Sequence, residues 1–181
     1  LVAHHNEFAK EAATLLEAVL EASPGDRAAR HDYVLALIAL HRHKDAREQI
    51  EILIAAEPDN PSHRMTLASI FVGEGSTEAA IALYGDLVRQ QPGNPELHLS
   101  LGHALKTQGR REDAERAYRE AARQRVNFGD AYWSLANLKT YRFTDEQLAT
   151  MREQVDACRT PLVDRYHLCF ALGKALEDRG E

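Results

Sequence analysis

Nine histidines, two cysteines and a run of arginines are the side chains of this 181-residue chain best suited to chemistry. His41 and His43 flank Arg42, with Asp45 close behind. Imidazole and carboxylate are metal-ligand types, but a zinc site needs roughly three or four convergent ligands. The partners here are too few, and the segment reads as a solvated turn. His4-His5 reads as a frayed end and His98 as a packing residue. Arg110, Arg111, Arg116, Arg119, Arg123 and Arg125 form a basic run. Glu112 stands four residues before Arg116 and Glu115 four before Arg119, the favourable order for helical ion pairs. The run therefore reads as a self-paired outer face, with an acidic partner as the alternative. No Gly-rich phosphate loop, Gly-x-Ser-x-Gly or Cys-x-x-Cys occurs. The expectation is a chain that is not an enzyme, without catalytic, cofactor-binding or metal-binding residues.

Composition narrows the class. Hydrophobic residues make up 44% and charged residues 28%, values of a globular protein and not of a disordered one. A net charge of -6 disfavours non-specific nucleic-acid or anionic-membrane binding. The longest apolar run, Tyr33 to Leu40, is too short to span a bilayer, and no signal peptide is visible from Leu1. Cys158 and Cys169 cannot build a disulfide framework, which suits a reducing compartment, with pairing to each other as the alternative. A cytoplasmic location is expected.

A fixed step positions these residues. Ala12, Ala46, Ala80 and Ala114 stand 34 residues apart, as do Pro24, Pro58 and Pro92, and Tyr84 and Tyr118. A period of this size marks a stacked repeat. Between Pro61 and Asn94, Leu67, Ala68, Ile70 and Phe71 fit one helix, which Gly73 and Gly75 end. Ser76 opens a second helix with Ala80, Leu83, Tyr84, Leu87 and Val88 on its inner stripe. The spacing predicts a half repeat over 7–26, holding a second-type helix only. Full repeats follow at 27–60, 61–94 and 95–128, then a degenerate repeat over 129–161 and the first helix of a truncated repeat over 162–181. In the degenerate repeat Leu148 takes the alanine position, Thr144 with Gln147 makes a capping box, and Pro161 ends the helix. Paired antiparallel helices approach closely only where a side chain is small, and one hairpin cannot bury its apolar face alone, so neighbours stack.

Leu67-Ala68, Gly75, Ala80, Tyr84 and Pro92, then Leu101-Gly102, Gly109, Ala114, Tyr118 and Ala121, resemble the tetratricopeptide repeat. The bulky aromatic usual early in the first helix is replaced by Arg30, Arg64 and His98. The resemblance implies an all-α, right-handed superhelix of antiparallel helix pairs whose first helices line a concave groove. By register the groove residues are His31, Leu35 and Ile38; Met65, Ser69 and Val72; Leu99, His103 and Lys106; Trp133, Asn137 and Tyr141; and Phe170 and Lys174. Met, Trp, Tyr and Phe suit an apolar or extended peptide. His103, Lys106, Asn137 and Lys174 add donors suited to carboxylates. The alternative is that some of these side chains pack between repeats, Trp133 foremost. The Lys and Asn clamp of chaperone-tail binders is absent at His31, Leu35, Met65, Thr66 and Ser69, as is the asparagine ladder of sugar-transferring arrays.

Residues 133–143, Trp-Ser-Leu-Ala-Asn-Leu-Lys-Thr-Tyr-Arg-Phe, and the stretch Arg165 to Gly180 resemble the linker region of bacterial tetratricopeptide-repeat sulfotransferases. That likeness implies the interaction region of a larger enzyme using phosphoadenosine phosphosulfate, whose phosphate loop lies elsewhere. The functional expectation is a non-catalytic scaffold binding a protein or peptide in its groove, with weak homo-oligomerisation through the C-terminal end. The alternative is an oligomerisation or structural module that completes the enzyme domain of its parent, with Lys174 touching that domain.

Overall fold

The computed structural model describes residues 2–180, with side chains from residue 6 onward. Among these residues the chain forms ten helices and no strand. They are α1 (Val2–Ala22), α2 (Arg27–Ala39), α3 (His43–Ala56), α4 (Pro61–Gly73), α5 (Thr77–Gln90), α6 (Pro95–Thr107), α7 (Arg111–Gln124), α8 (Gly129–Ala136), α9 (Asp145–Asp156) and α10 (Leu162–Glu177).

Local sequence starts and stops these helices at the 34-residue step. Asp26, Asn60 and Asn94 cap α2, α4 and α6, their side chains accepting from the backbone N–H groups of Ala29, Ser62 and Glu96. Pro61 and Pro95 fill the first helical position, where an N–H would lack a partner. The turn between paired helices is built three times in one way. His41, Gly75 and Gly109 take left-handed φ values of 57°, 81° and 80°. The following N–H groups of Arg42, Ser76 and Arg110 donate back to Leu37, Phe71 and Leu105 at 2.9, 2.8 and 3.0 Å. The charged turn at His41 is thus the same turn as its glycine counterparts, made by a residue that adopts it at a cost.

The helices fall into two compact units, one up to Leu83 and one from Tyr84 onward, the division lying inside α5. In the first unit α2 packs on α1, α3 on α2, and α4 on α3. Val34, Leu37, Ala46 and Ile50 are fully buried at its core. The His43 ring lies so close to Gly73 that a Cβ there would collide with it.

In the second unit α6 packs on α7, α7 on α8, and α10 on α8 and α9. Gly102 leaves no room for a Cβ against the Tyr118 ring. Gly129 meets the backbone carbonyl of Asp164 in the same way. The Asp164 carboxylate, buried, accepts from the Gly129 N–H at 3.0 Å and from Arg125 at 3.2 Å. Arg125 also reaches Glu96 at 3.1 Å and lies 3.6 Å over the Phe128 ring. One arginine thus joins α6, the start of α8 and the start of α10.

The fourth pair departs from the step. α8 has 8 residues against 13 in α6, and the left-handed position falls at Lys139, φ 63°. The segment after α8 still buries Leu138 and Phe143, the latter stacked on Tyr132 at 6.4 Å. The capping box of Thr144 and Gln147 is present and starts α9, where Leu148 is buried. Pro161 does not end α9, which stops at Asp156; it stands at the N-terminal boundary of α10. Arg165 closes that corner by donating to the Ala157 carbonyl at 3.1 Å.

Candidate functional site

The expected groove residues divide between the two units. In the first, His31 stands on α2 with its ring 6.2 Å from that of His63 on α4. Leu35 is exposed, whereas Ile38 is half-buried against the core. On α4, Met65 and Val72 are half-buried and Ser69 is exposed, its hydroxyl donating to the Thr66 carbonyl at 2.7 Å. His63, which the step does not single out, is buried and shares Glu57 with Asn60, its Nε2 lying 3.0 Å from the carboxylate. Hydrogen bonds from Asn60, His63 and Arg27 hold the Glu57 carboxyl below the usual carboxylate range.

In the second unit Leu99 lies in the core, 6% exposed, and not on an open face. The reason is the circumference of α6: Leu97, His98, Leu99, Gly102, Ala104 and Leu105 are all buried, and the exposed positions are polar. His103 and Lys106 are among those positions, with Glu96 and Thr107. The inner edge of the His103 ring meets the fully buried Tyr118, hydroxyl to Nδ1 at 3.0 Å. Loss of water on that side pushes the imidazole below its ordinary range, opposed by the Asp130 carboxylate. Burial likewise pushes the Tyr118 phenol up. Asn137 is exposed at the end of α8. Tyr141 lies beyond that helix, because α8 stops early, and its hydroxyl is engaged by the Gln147 side chain at 2.9 and 2.7 Å.

The structure brings Trp133, Phe170 and Lys174 together. The Trp133 and Phe170 rings meet edge to face at 5.6 Å, and Tyr166 adds a second such contact to Phe170 at 4.6 Å. With Cys169, Gly173 and Glu177 they line a concavity of about 380 Å³ between α8 and α10. Phe170 is 47% exposed. Lys174 bonds Asp178 at 2.7 Å and Glu177 at 3.1 Å, and those carboxylates hold its ammonium protonated above the usual lysine range. The walls are apolar and the rim is charged, a form that takes an apolar side chain and offers polar contacts at its edge. The step alone does not place Tyr166 against Phe170, because that contact depends on how α10 lies on α8.

A wider concavity of about 860 Å³ surrounds the His41–His43 turn in the first unit. Its two arginines are engaged internally: Arg42 with Asp45 at 2.6 Å, and Arg47 with Glu51 at 2.9 Å and Glu74 at 3.6 Å. Among the described residues no group of three or more His, Cys, Asp or Glu side chains is placed to hold a metal ion. Cys158 and Cys169 are exposed and form no disulfide. Within the described residues no helix is long and apolar enough to cross a membrane.

The sequence model of the tetratricopeptide repeat matches residues 7–70 and 71–138. No curated protein matches the chain. Among solved structures, TTC0263, a thermophilic tetratricopeptide repeat protein of Thermus thermophilus, is 23% identical with a TM-score of 0.65 over 95% of this chain and 99% of that one. MamA of Desulfovibrio magneticus RS-1 is 14% identical with a TM-score of 0.64 over 96% of this chain and 87% of that one. YrrB, a tetratricopeptide repeat protein with an unusual peptide-binding site, is 15% identical with a TM-score of 0.58 over 97% of this chain and 85% of that one. At these identities the likeness is one of fold, and the repeat match extends over most of the sequence. The chain belongs to the tetratricopeptide repeat family.

Proposed function

We propose that this chain is a non-catalytic scaffold that binds an extended peptide segment of a partner protein. The carrying observation is the concavity formed by Trp133, Phe170, Cys169 and Gly173, rimmed by Lys174 and Glu177. Large aromatic side chains left half-open in a concave site serve as anchors for an apolar residue. The exposed His103, Lys106 and Asn137 supply donors on the same unit, and the peptide-binding site of YrrB supports the reading by analogy of fold. Leu99 takes no part, and Tyr141 contributes only its ring. Of the first-unit positions His31, Leu35, Ile38, Met65, Ser69 and Val72, Leu35 is the exposed large apolar side chain.

Panning a random peptide library against the chain tests the reading. Enrichment of peptides with an aromatic or large aliphatic anchor is expected, with binding lost in Phe170→Ser at unchanged helicity. Failure to enrich any peptide, or equal binding by Phe170→Ser, would overturn it.

The finer reading, that this is the interaction region of a larger bacterial sulfotransferase, rests on residues 133–143 and 165–180. Coding sequence for a strand followed by a phosphate-binding loop, adjoining this segment, would support it. The alternative role, oligomerisation or completion of a parent enzyme domain, is favoured by the stripe of Leu162, Val163, Tyr166 and Phe170 left exposed on α10.

A further inference from the structure

Tyr118 and His103 form a pair that the repeat does not require. The Tyr118 ring is fully buried and lies over the bare backbone of Gly102. From there its hydroxyl reaches His103 Nδ1 at 3.0 Å, with the two rings edge to face at 5.3 Å. At the preceding 34-residue step Ser69 stands in place of His103 and Tyr84 in place of Tyr118. Tyr84 is buried as Tyr118 is, yet its hydroxyl bonds Ser100. The stack therefore uses the tyrosine ring and leaves the partner of its hydroxyl open.

The bond fixes where the imidazole proton sits. Burial strips the Tyr118 phenol of the water that would stabilise its charged form, so it stays protonated. It has a hydrogen to donate, and Nδ1 is the acceptor it reaches. The reverse bond, from Nδ1–H to the phenol oxygen, would leave the phenol's own hydrogen without this acceptor in the core. A buried donor left unpaired costs more than an ordinary hydrogen bond returns. With Nδ1 accepting, Nε2 carries the proton of the neutral ring. His103 is exposed, so this N–H is offered on the open side of α6. Three neighbours set the ring's charge. Loss of water on the inner edge disfavours the imidazolium, Lys106 on α6 acts in the same direction, and Asp130 on α8 acts against them. A carboxylate gains most from a charged donor such as Lys106, whereas a neutral N–H suits a peptide carbonyl.

We propose that His103 is a specificity-determining residue of the peptide surface, donating its Nε2–H to a main-chain carbonyl oxygen of the bound segment, with Tyr118 as the positioning residue that holds the ring in that tautomer. This role rests on the peptide reading and deepens it. Register alone assigns His103 to carboxylates, whereas the ring bonded to Tyr118 selects an uncharged acceptor.

Nitrogen-15 spectra of the histidine-labelled chain between about pH 6 and 8 decide the tautomer without any ligand. His103 should show a protonated Nε2, an unprotonated Nδ1 and titration below its ordinary value, all three relaxing toward ordinary behaviour in Tyr118→Phe. A protonated Nδ1, or a ring charged at neutral pH, would overturn the proposal. The binding probe is a histidine-free peptide recovered by panning that fails to bind Phe170→Ser. Its affinity should fall roughly 5- to 10-fold in His103→Ala at unchanged helicity, the size of one hydrogen bond. His103→Gln, whose amide N–H extends to the place of Nε2, should restore most of it. Thioamides, which are weaker acceptors, replace the peptide's main-chain amides one at a time. At one position the change should weaken binding to wild type and leave binding to His103→Ala as it was. Equal affinity for wild type and His103→Ala, with the Phe170 anchor still required, would overturn this role and leave the peptide reading intact. An affinity that climbs as pH falls through the imidazole range would make a carboxylate the acceptor and overturn it too. Failure to recover any peptide would overturn both.

Discussion

At the scale of the residue, His41 shows what the repeat demands of one backbone position. It holds φ 57° where Gly75 and Gly109 hold 81° and 80°. A side chain in that conformation costs roughly 1–2 kcal/mol, partly offset because glycine orders a freer unfolded chain. His41→Gly should therefore raise stability by up to about 1 kcal/mol, read as a higher urea midpoint with unchanged slope; a lower midpoint would mean that the ring makes a stabilising contact. Glu120 carries a second prediction. Its hydrogen bond to Arg123, with one from Gln124, lowers the carboxyl to about 2 against burial, which raises it. A carboxyl with a depressed folded value binds protons more readily when unfolded. Its contribution is full above the unfolded value of about 4.5 and is lost as pH falls toward 2. The melting temperature of Glu120→Gln should thus lie below wild type at neutral pH and converge with it near pH 2. A gap that stays constant with pH would show that the ion pair is inert, as exposed pairs can be.

At the scale of the element, much of the array is legible because its cause is local. Asn60-Pro61 and Asn94-Pro95 start helices, and a left-handed residue ends the first helix of three pairs. The length of α8 is not legible, since Leu138, Tyr141 and Phe143 continue an apolar pattern that the sequence cannot assign to helix or loop. The structure settles it by burying Leu138 and Phe143 from an irregular segment. The candidate site divides in the same way. Trp133, Phe170 and Lys174 follow from register, but the burial of Leu99 and the edge-to-face contact of Tyr166 depend on neighbouring helices. Gly129 gives the element-scale prediction. Its closest neighbour is backbone, which cannot swing aside as a side chain can. Gly129→Ala should cost roughly 1–3 kcal/mol, the range for overpacking, and a denaturation midpoint equal to wild type would show that α10 rides freely on α8.

At the scale of the whole molecule, a repeat chain has no single core through which every part depends on every other. Each helix contacts its neighbours, and stability is close to a sum of local terms. Val34, Leu37 and Ile50 make one buried cluster within the first unit, and Leu135, Met151 and Leu168 are fully buried within the second. The strain of Gly129→Ala should then be felt unevenly. Hydrogen exchange should quicken in α8, α9 and α10 while the amides of α2 and α3 keep their protection. Uniform acceleration along the chain would indicate one cooperative unit instead.

Trp133 has a further use that follows from its position. It is the chain's only tryptophan, half-exposed on the wall of the concavity beside Phe170 and Cys169. Its indole emission therefore reports on that one place without any label. An apolar anchor entering the concavity removes water from the ring and shifts its fluorescence to the blue. Binding to a distant surface of the chain leaves the spectrum as it was.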